Sequence, residues 1–254
     1  MNFFEKLLKF TTNVNDCKII TTYLAENYNE MKYLKFVDAI VARYPLTDNK
    51  SVAHVAHVPG PIFNRLLETT TNFDYDGNHN VLHQAIHKFC HENIEQILAI
   101  KPELLEVKTI DNQYTPLMIA IKTYNTRAID FILSLNANQN AVNAYGNTAL
   151  HHAVINVNAY VIDKLEMHNK ENFFRMTPID YINNMMKSHF HIARNEKKTV
   201  PIYKLGFIAT IYEKMCDVDC ERIITSTEQI NQVNKYVLEL VNDGKYEDLK
   251  SQLF

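Results

Sequence analysis

Apolar residues recur at helical intervals along much of the chain. Near the N-terminus Phe4, Leu7 and Leu8, and then Tyr33, Phe36, Val37, Ile40 and Val41, fall at the spacing that places side chains on one helix face. This predicts a helical N-terminal region over residues 1–45. The segment AIDFILSL, from Ala128 to Leu135, reads as one complete short helix. From Pro201 onward, IYKLGFIATIYEKM and then Ile230, Val233, Val237, Leu240 and Val241 return to the same spacing and stop near Gly244. A second helical region is therefore expected over residues 201–254, separated by a polar linker, ARNEKKT within 193–200.

The middle of the chain is periodic. TPLMIA at Thr115 to Ala120 returns as TALHHA at Thr148 to Ala153, 33 residues on. NVLHQA at Asn80 lies 35 residues before Thr115, SVAHVA at Ser51 lies 29 before that, and TPIDYI begins at Thr177, 29 after Thr148. Five units emerge over residues 46–192. Thr at a helix start satisfies orphan N–H groups, Pro at the first helical position loses nothing by lacking its own, and small Ala lets helices approach closely. One such unit cannot bury its apolar face alone, so neighbours must stack and the ends need covers.

These residues resemble the ankyrin family. Its signature is a turn with Asp and Gly, Thr-Pro-Leu-His-x-Ala opening a first helix, a second apolar helix, and a Gly-Ala loop. The best-matching stretch is Asp111 to Ala153, and KPELLEVKTIDNQYTP is similar to an ankyrin variation that accounts for the 35-residue interval. The outer units depart from the pattern: Ser51 is not followed by Pro, and the unit at Thr177 lacks His. The resemblance implies an all-α ankyrin-repeat solenoid of five units with short hairpin-like turns, capped by helical N- and C-terminal regions. With only five glycines in 254 residues, Asn is expected to replace Gly in left-handed turns, most clearly at Asn136 after AIDFILSL.

Composition narrows the function classes. A hydrophobic fraction of 46% with 22% charged residues predicts an ordered globular protein. A net charge of -3 gives no general attraction to nucleic acid or to an acidic membrane. Apolar runs are broken well short of the roughly 20 residues a bilayer requires, so no membrane insertion is expected. The segment MNFFEKLLKF lacks the features of a secretory signal, and Cys17, Cys90, Cys216 and Cys220 form no dense framework. A cytoplasmic protein is expected.

Candidate chemistry is thin. His79, His83, His87 and His91, beside Cys90, run at four-residue spacing, but His83 coincides with the signature His, while His79 and His91 fall in turns. The ladder is read as structural, and no metal is assigned. Cys216 and Cys220 are not spaced as Cys-x-x-Cys, and no phosphate loop, nucleophile elbow or His-Glu-x-x-His pair occurs. No catalytic residue and no cofactor are expected.

The ankyrin resemblance implies a protein partner met by the hairpin tips and the exposed side of each first helix. Carried onto matching positions, this selects Asp76, His79, His87 and Lys88 in one unit and Asp111, Asn112, Tyr114, Lys122 and Thr123 in the next. The units after those contribute Tyr145, Asn147, Ile155 and Asn156, then Phe173 and Phe174. Exposed Tyr and Phe make strong hot spots, whereas the alternative for Phe173 and Phe174 is packing into the stack. The expectation is a non-catalytic, monomeric adaptor or targeting module. Within that class the chain resembles effectors secreted by intracellular bacteria, acting in a host cytoplasm with YEDLKSQLF as export signal; two alternatives stand beside the adaptor, an enzyme docked by the repeats with a catalytic site in 201–254, and a self-associating or structural protein.

Overall fold

The computed structural model describes residues 12–28, 30–43, 52–73 and 78–182, with Lys6, Lys9 and Asn184 as isolated positions. Phe4, Leu7, Leu8, Asp76, the linker 193–200, the region 201–254 and both of its cysteines lie outside the described residues. The chain divides into two compact units, residues 1–144 and 145–254. Among the described residues there is no strand beyond isolated bridging positions at Asn72 and His79.

The first unit opens with α1 (Val14–Asn27) and, after a 3-10 turn, α2 (Leu34–Arg43). Asn13 caps α1 by accepting from the Asp16 N–H at 3.0 Å. Cys17, Ile20, Leu24 and Ala25 form its buried face, and Val37 and Ile40 that of α2. Both helices pack on α3 (Pro61–Thr69), which buries Ile62, Phe63, Leu66 and Leu67. Arg65 Nε reaches Asp38 at 2.7 Å and ties α3 to α2.

The first periodic unit differs from its sequence pattern. After Ser51 only residues 52–53 are helical, followed by a turn over 54–57. Pro59 disfavours helical backbone at the residue before it, and Gly60 at φ 139° redirects the chain into α3. Two fuller helix pairs follow: α4 (Val81–His87) with α5 (His91–Ile100), and α6 (Pro116–Lys122) with α7 (Thr126–Ser134). The helices α4 and α6 pack side by side, and α3, α5 and α7 form a second row. Ile86, Ile94, Ile97, Leu117, Ile121 and Ile132 fill the space between the rows, each fully buried chain contributing about 1.5–3 kcal/mol.

The second unit holds α8 (Ala149–Ile155), α9 (Ala159–Ile162) and a helical turn over 178–182. Thr148 Oγ1 accepts from the His151 N–H, and Thr177 and Asp180 cap the helical turn reciprocally. In the first unit Thr115 plays the same part for Met118, with Pro116 at the first helical position, and Asn80 for His83.

Left-handed residues punctuate both units. Phe89 (φ 58°), Tyr124 (φ 57°) and Val157 (φ 53°) each stand between the two helices of a pair. The next residue's N–H then bonds back five positions, Cys90 to Ala85 at 3.0 Å, Asn125 to Ala120 at 2.9 Å and Asn158 to Ala153 at 2.9 Å. These are Schellman closures, which demand a left-handed residue at that step. Gln113, Gly146 and Arg175 share a positive φ at the hairpin tips, and Asn136 (φ 57°) follows α7. Asn136 thus takes the conformation expected of it. The wider expectation that Asn would fill glycine's place is corrected: at five positions Phe, Gln, Tyr, Val and Arg do so, held there by flanking helices and hydrogen bonds.

Candidate partner-binding surface

Backbone hydrogen bonds fix the tips before any side chain is considered. In the first unit Thr109 N–H donates to the Tyr114 carbonyl at 2.9 Å, and Tyr114 N–H returns to Thr109 Oγ1 at 2.9 Å, closing the loop 109–114. Asp111 N–H donates to Asn78 Oδ1 at 2.8 Å, and the Asn112 carbonyl accepts from Ala144 N–H at 2.9 Å. Successive tips are therefore laddered, and the side chains between them are presented from a rigid edge.

On that edge Asp111 is exposed, while Asn112 and Tyr114 are half-buried. Lys122, at the end of α6, places Nζ 4.8 Å from the Tyr114 ring centroid, a cation–π contact. His79 comes from the preceding tip and meets His87 of α4 edge-on, ring centroids 5.0 Å apart. Burial holds the His79 imidazole below its usual pKa, with Lys122 adding to the effect and Asp111 opposing it. Burial, followed by His79, Lys122 and Lys88, does the same for His87. One surface thus brings together His79, His87, Lys88, Lys122, Tyr114 and Asp111.

His83 lies beneath and is spent on the fold. Its Nδ1 accepts from Asn80 N–H at 3.2 Å, so Nε2 carries the proton and donates to the Val107 carbonyl at 2.9 Å. Protonating Nδ1 would set N–H against N–H; burial first of all pushes the pKa down to about 3. In the second unit His151 repeats the arrangement between Thr148 N–H and the Met176 carbonyl, pushed down to about 4 chiefly by burial. Three rings of the histidine ladder do meet, His79 with both His83 and His87. Among the described residues no group of three or more His, Cys, Asp or Glu side chains is placed to hold a metal ion.

In the second unit Tyr145 stacks on Phe174, ring centroids 6.5 Å apart and 26° from parallel. Phe173 N–H donates to the Tyr145 carbonyl at 3.1 Å, which locks the two loops together. Tyr145, Phe173 and Phe174 are 44%, 71% and 65% exposed, so packing into the stack is not what these rings do. Ile155, the last residue of α8, is exposed. Three selected residues make hydrogen bonds within the scaffold. Asn147 is buried and accepts from Asn172 Nδ2 at 2.8 Å, which corrects its placement on the binding surface. Thr123 donates to the Ile119 carbonyl and Asn156 to that of His152, each closing the end of its own first helix.

Sequence reasoning missed several exposed apolar chains, among them Phe89, Tyr124 and Ile110, at 50%, 53% and 53%. A signal for the first two was present: both directly precede the cap of a second helix, 35 residues apart.

Residues 82–172 fit the family model for ankyrin repeats, in three copies. No curated protein is matched by the chain. The units opening at Ser51 and Thr177 begin outside the matched stretch.

Proposed function

On a chain that carries ankyrin repeats, which are protein–protein interaction modules, we propose a non-catalytic adaptor or targeting role, exercised through the exposed tips and first-helix faces of each unit. The observation that carries this reading is the cluster of Tyr145, Phe173 and Phe174. Three large aromatic chains stand exposed on loops held by hydrogen bonds. Rigid rings of this kind lose little entropy on binding and dominate protein interfaces. Asp111, Tyr114 and Lys122 extend the reading to the first unit.

Affinity capture from a cell lysate with wild type beside a Tyr145→Ala/Phe174→Ala variant tests it, circular dichroism confirming that both are folded. A partner retained by wild type and lost by the variant supports the adaptor. Equal capture by both removes the aromatic cluster from the working surface. The finer reading, a secreted effector acting in a host cytoplasm, rests on the sequence YEDLKSQLF; equal translocation after deletion of residues 246–254 would remove its support.

A further inference from the structure

The exposed surface of the first unit has a definite charge character. Lys88 caps α4 and Lys122 ends α6; both act on the His87 imidazole, which meets that of His79 edge-on. Among the described residues, the titratable groups facing this place are His79 and Asp111 from the tips, Tyr114 from the same tip as Asp111, His83 and His87 from α4, Lys88 at its cap, and Lys122 from α6. Among these described groups Asp111 is the single carboxylate. Lys122 is held over the Tyr114 ring rather than paired to a carboxylate, so its charge is oriented without being neutralised.

We propose that this surface binds an acidic peptide segment of the partner, with Lys122 and Lys88 receiving its carboxylates and the His79–His87 pair taking up a proton as it docks. The proposal rests on the adaptor reading and specifies the chemistry of one of its surfaces. Burial first of all, with Lys122 acting on both rings and Lys88 on His87, disfavours the charged form of the imidazoles in the free protein, Asp111 opposing this at His79. A carboxylate brought against them reverses that balance and raises their affinity for a proton. Linkage then requires tighter binding as the pH falls through the range where the bound, but not the free, imidazole is protonated.

The probe is fluorescein-labelled octaglutamate, followed by anisotropy with the full chain at pH 7.5 and 6.0, beside octalysine and a neutral Gly-Ser peptide. The net charge of -3 repels an anionic peptide overall, so binding must come from a local patch. The expected result is octaglutamate binding that tightens about three- to tenfold on acidification, weakens with salt, and is lost in Lys122→Glu. His87→Gln keeps binding at pH 7.5 and flattens its pH dependence, a readout that general unfolding would not produce. Octaglutamate bound no better than the neutral peptide, binding unchanged by Lys122→Glu, or a pH-independent wild type would each overturn the proposal. If octaglutamate fails while lysate capture still depends on Tyr145 and Phe174, the adaptor reading stands and the acidic partner does not.

Discussion

His83 and His151 show how a single side chain can be committed to the fold by its hydrogen-bond polarity. Each Nδ1 accepts from a backbone N–H and each Nε2 faces a carbonyl, so only the neutral imidazole fits. The unfolded chain protonates these rings near pH 6.5 and the folded one only near 3 and 4. Between those values unfolding takes up protons, so stability is full above pH 6.5 and falls as the pH drops. Urea titrations from pH 7.5 to 5 should show a loss on the order of 1 kcal/mol per pH unit for each histidine below pH 6.5. A flat profile would mean that the imidazoles are not held as described. Backbone conformation makes a second demand at this scale. Val157 is β-branched at φ 53°, and Val157→Gly should stabilise by about 1 kcal/mol. Gly146→Ala should do the opposite, because its Cβ would meet Phe173 N at 2.7 Å and Cδ1 at 2.8 Å. Asn136→Val, at φ 57°, should cost about 1–2 kcal/mol. Thermal melts of the three variants give the signs directly.

Between elements, Asn125 is the clearest coupling. Its Oδ1 caps α7 through Ala128 N–H at 3.2 Å, and its Nδ2 donates to the Ile86 carbonyl of the previous repeat at 3.0 Å. In the preceding repeat Asn93, within the first turn of α5, donates likewise to a carbonyl of the repeat before it, that of Ala56, at 2.8 Å. One short amide thus starts a helix and registers it against its neighbour. Asn125→Asp keeps the cap and loses the donor, whereas Asn125→Ala loses both. Denaturant unfolding should rank them wild type, Asp, Ala, with Ala down by about 1–2 kcal/mol. An Asp variant as weak as Ala would assign the whole effect to the inter-repeat bond.

Within the first unit, the repeat helices pack against the partner of their own pair and against the adjacent repeat, so damage should remain local. Leu117→Ala in α6 removes a buried chain and should cost about 2–5 kcal/mol. In a nearest-neighbour array hydrogen-exchange protection should fall most in α4 to α7 and least in α1. A uniform loss throughout the unit would show that it unfolds as a single block.

The primary sequence alone determined the repeat, the intervals of 35 and 33 residues between the units opening at Asn80, Thr115 and Thr148, the helix caps at Thr115 and Thr148, and the structural part played by His83. These are local: a cap, a proline at the first helical position and an apolar stripe act within a few residues of themselves. It also indicated the tips as the presenting edge, and Tyr145, Phe173 and Phe174 are exposed there. Only the tertiary structure decided that Asn147 turns inward to Asn172, that Phe89, Tyr124 and Val157 occupy left-handed turns, and that Lys122 lies over Tyr114 beside two touching imidazoles. Each of these depends on which chain segment arrives from another repeat. Burial, hydrogen-bond partners and local charge are set by those arrivals, and a periodic pattern fixes only that some neighbour will come.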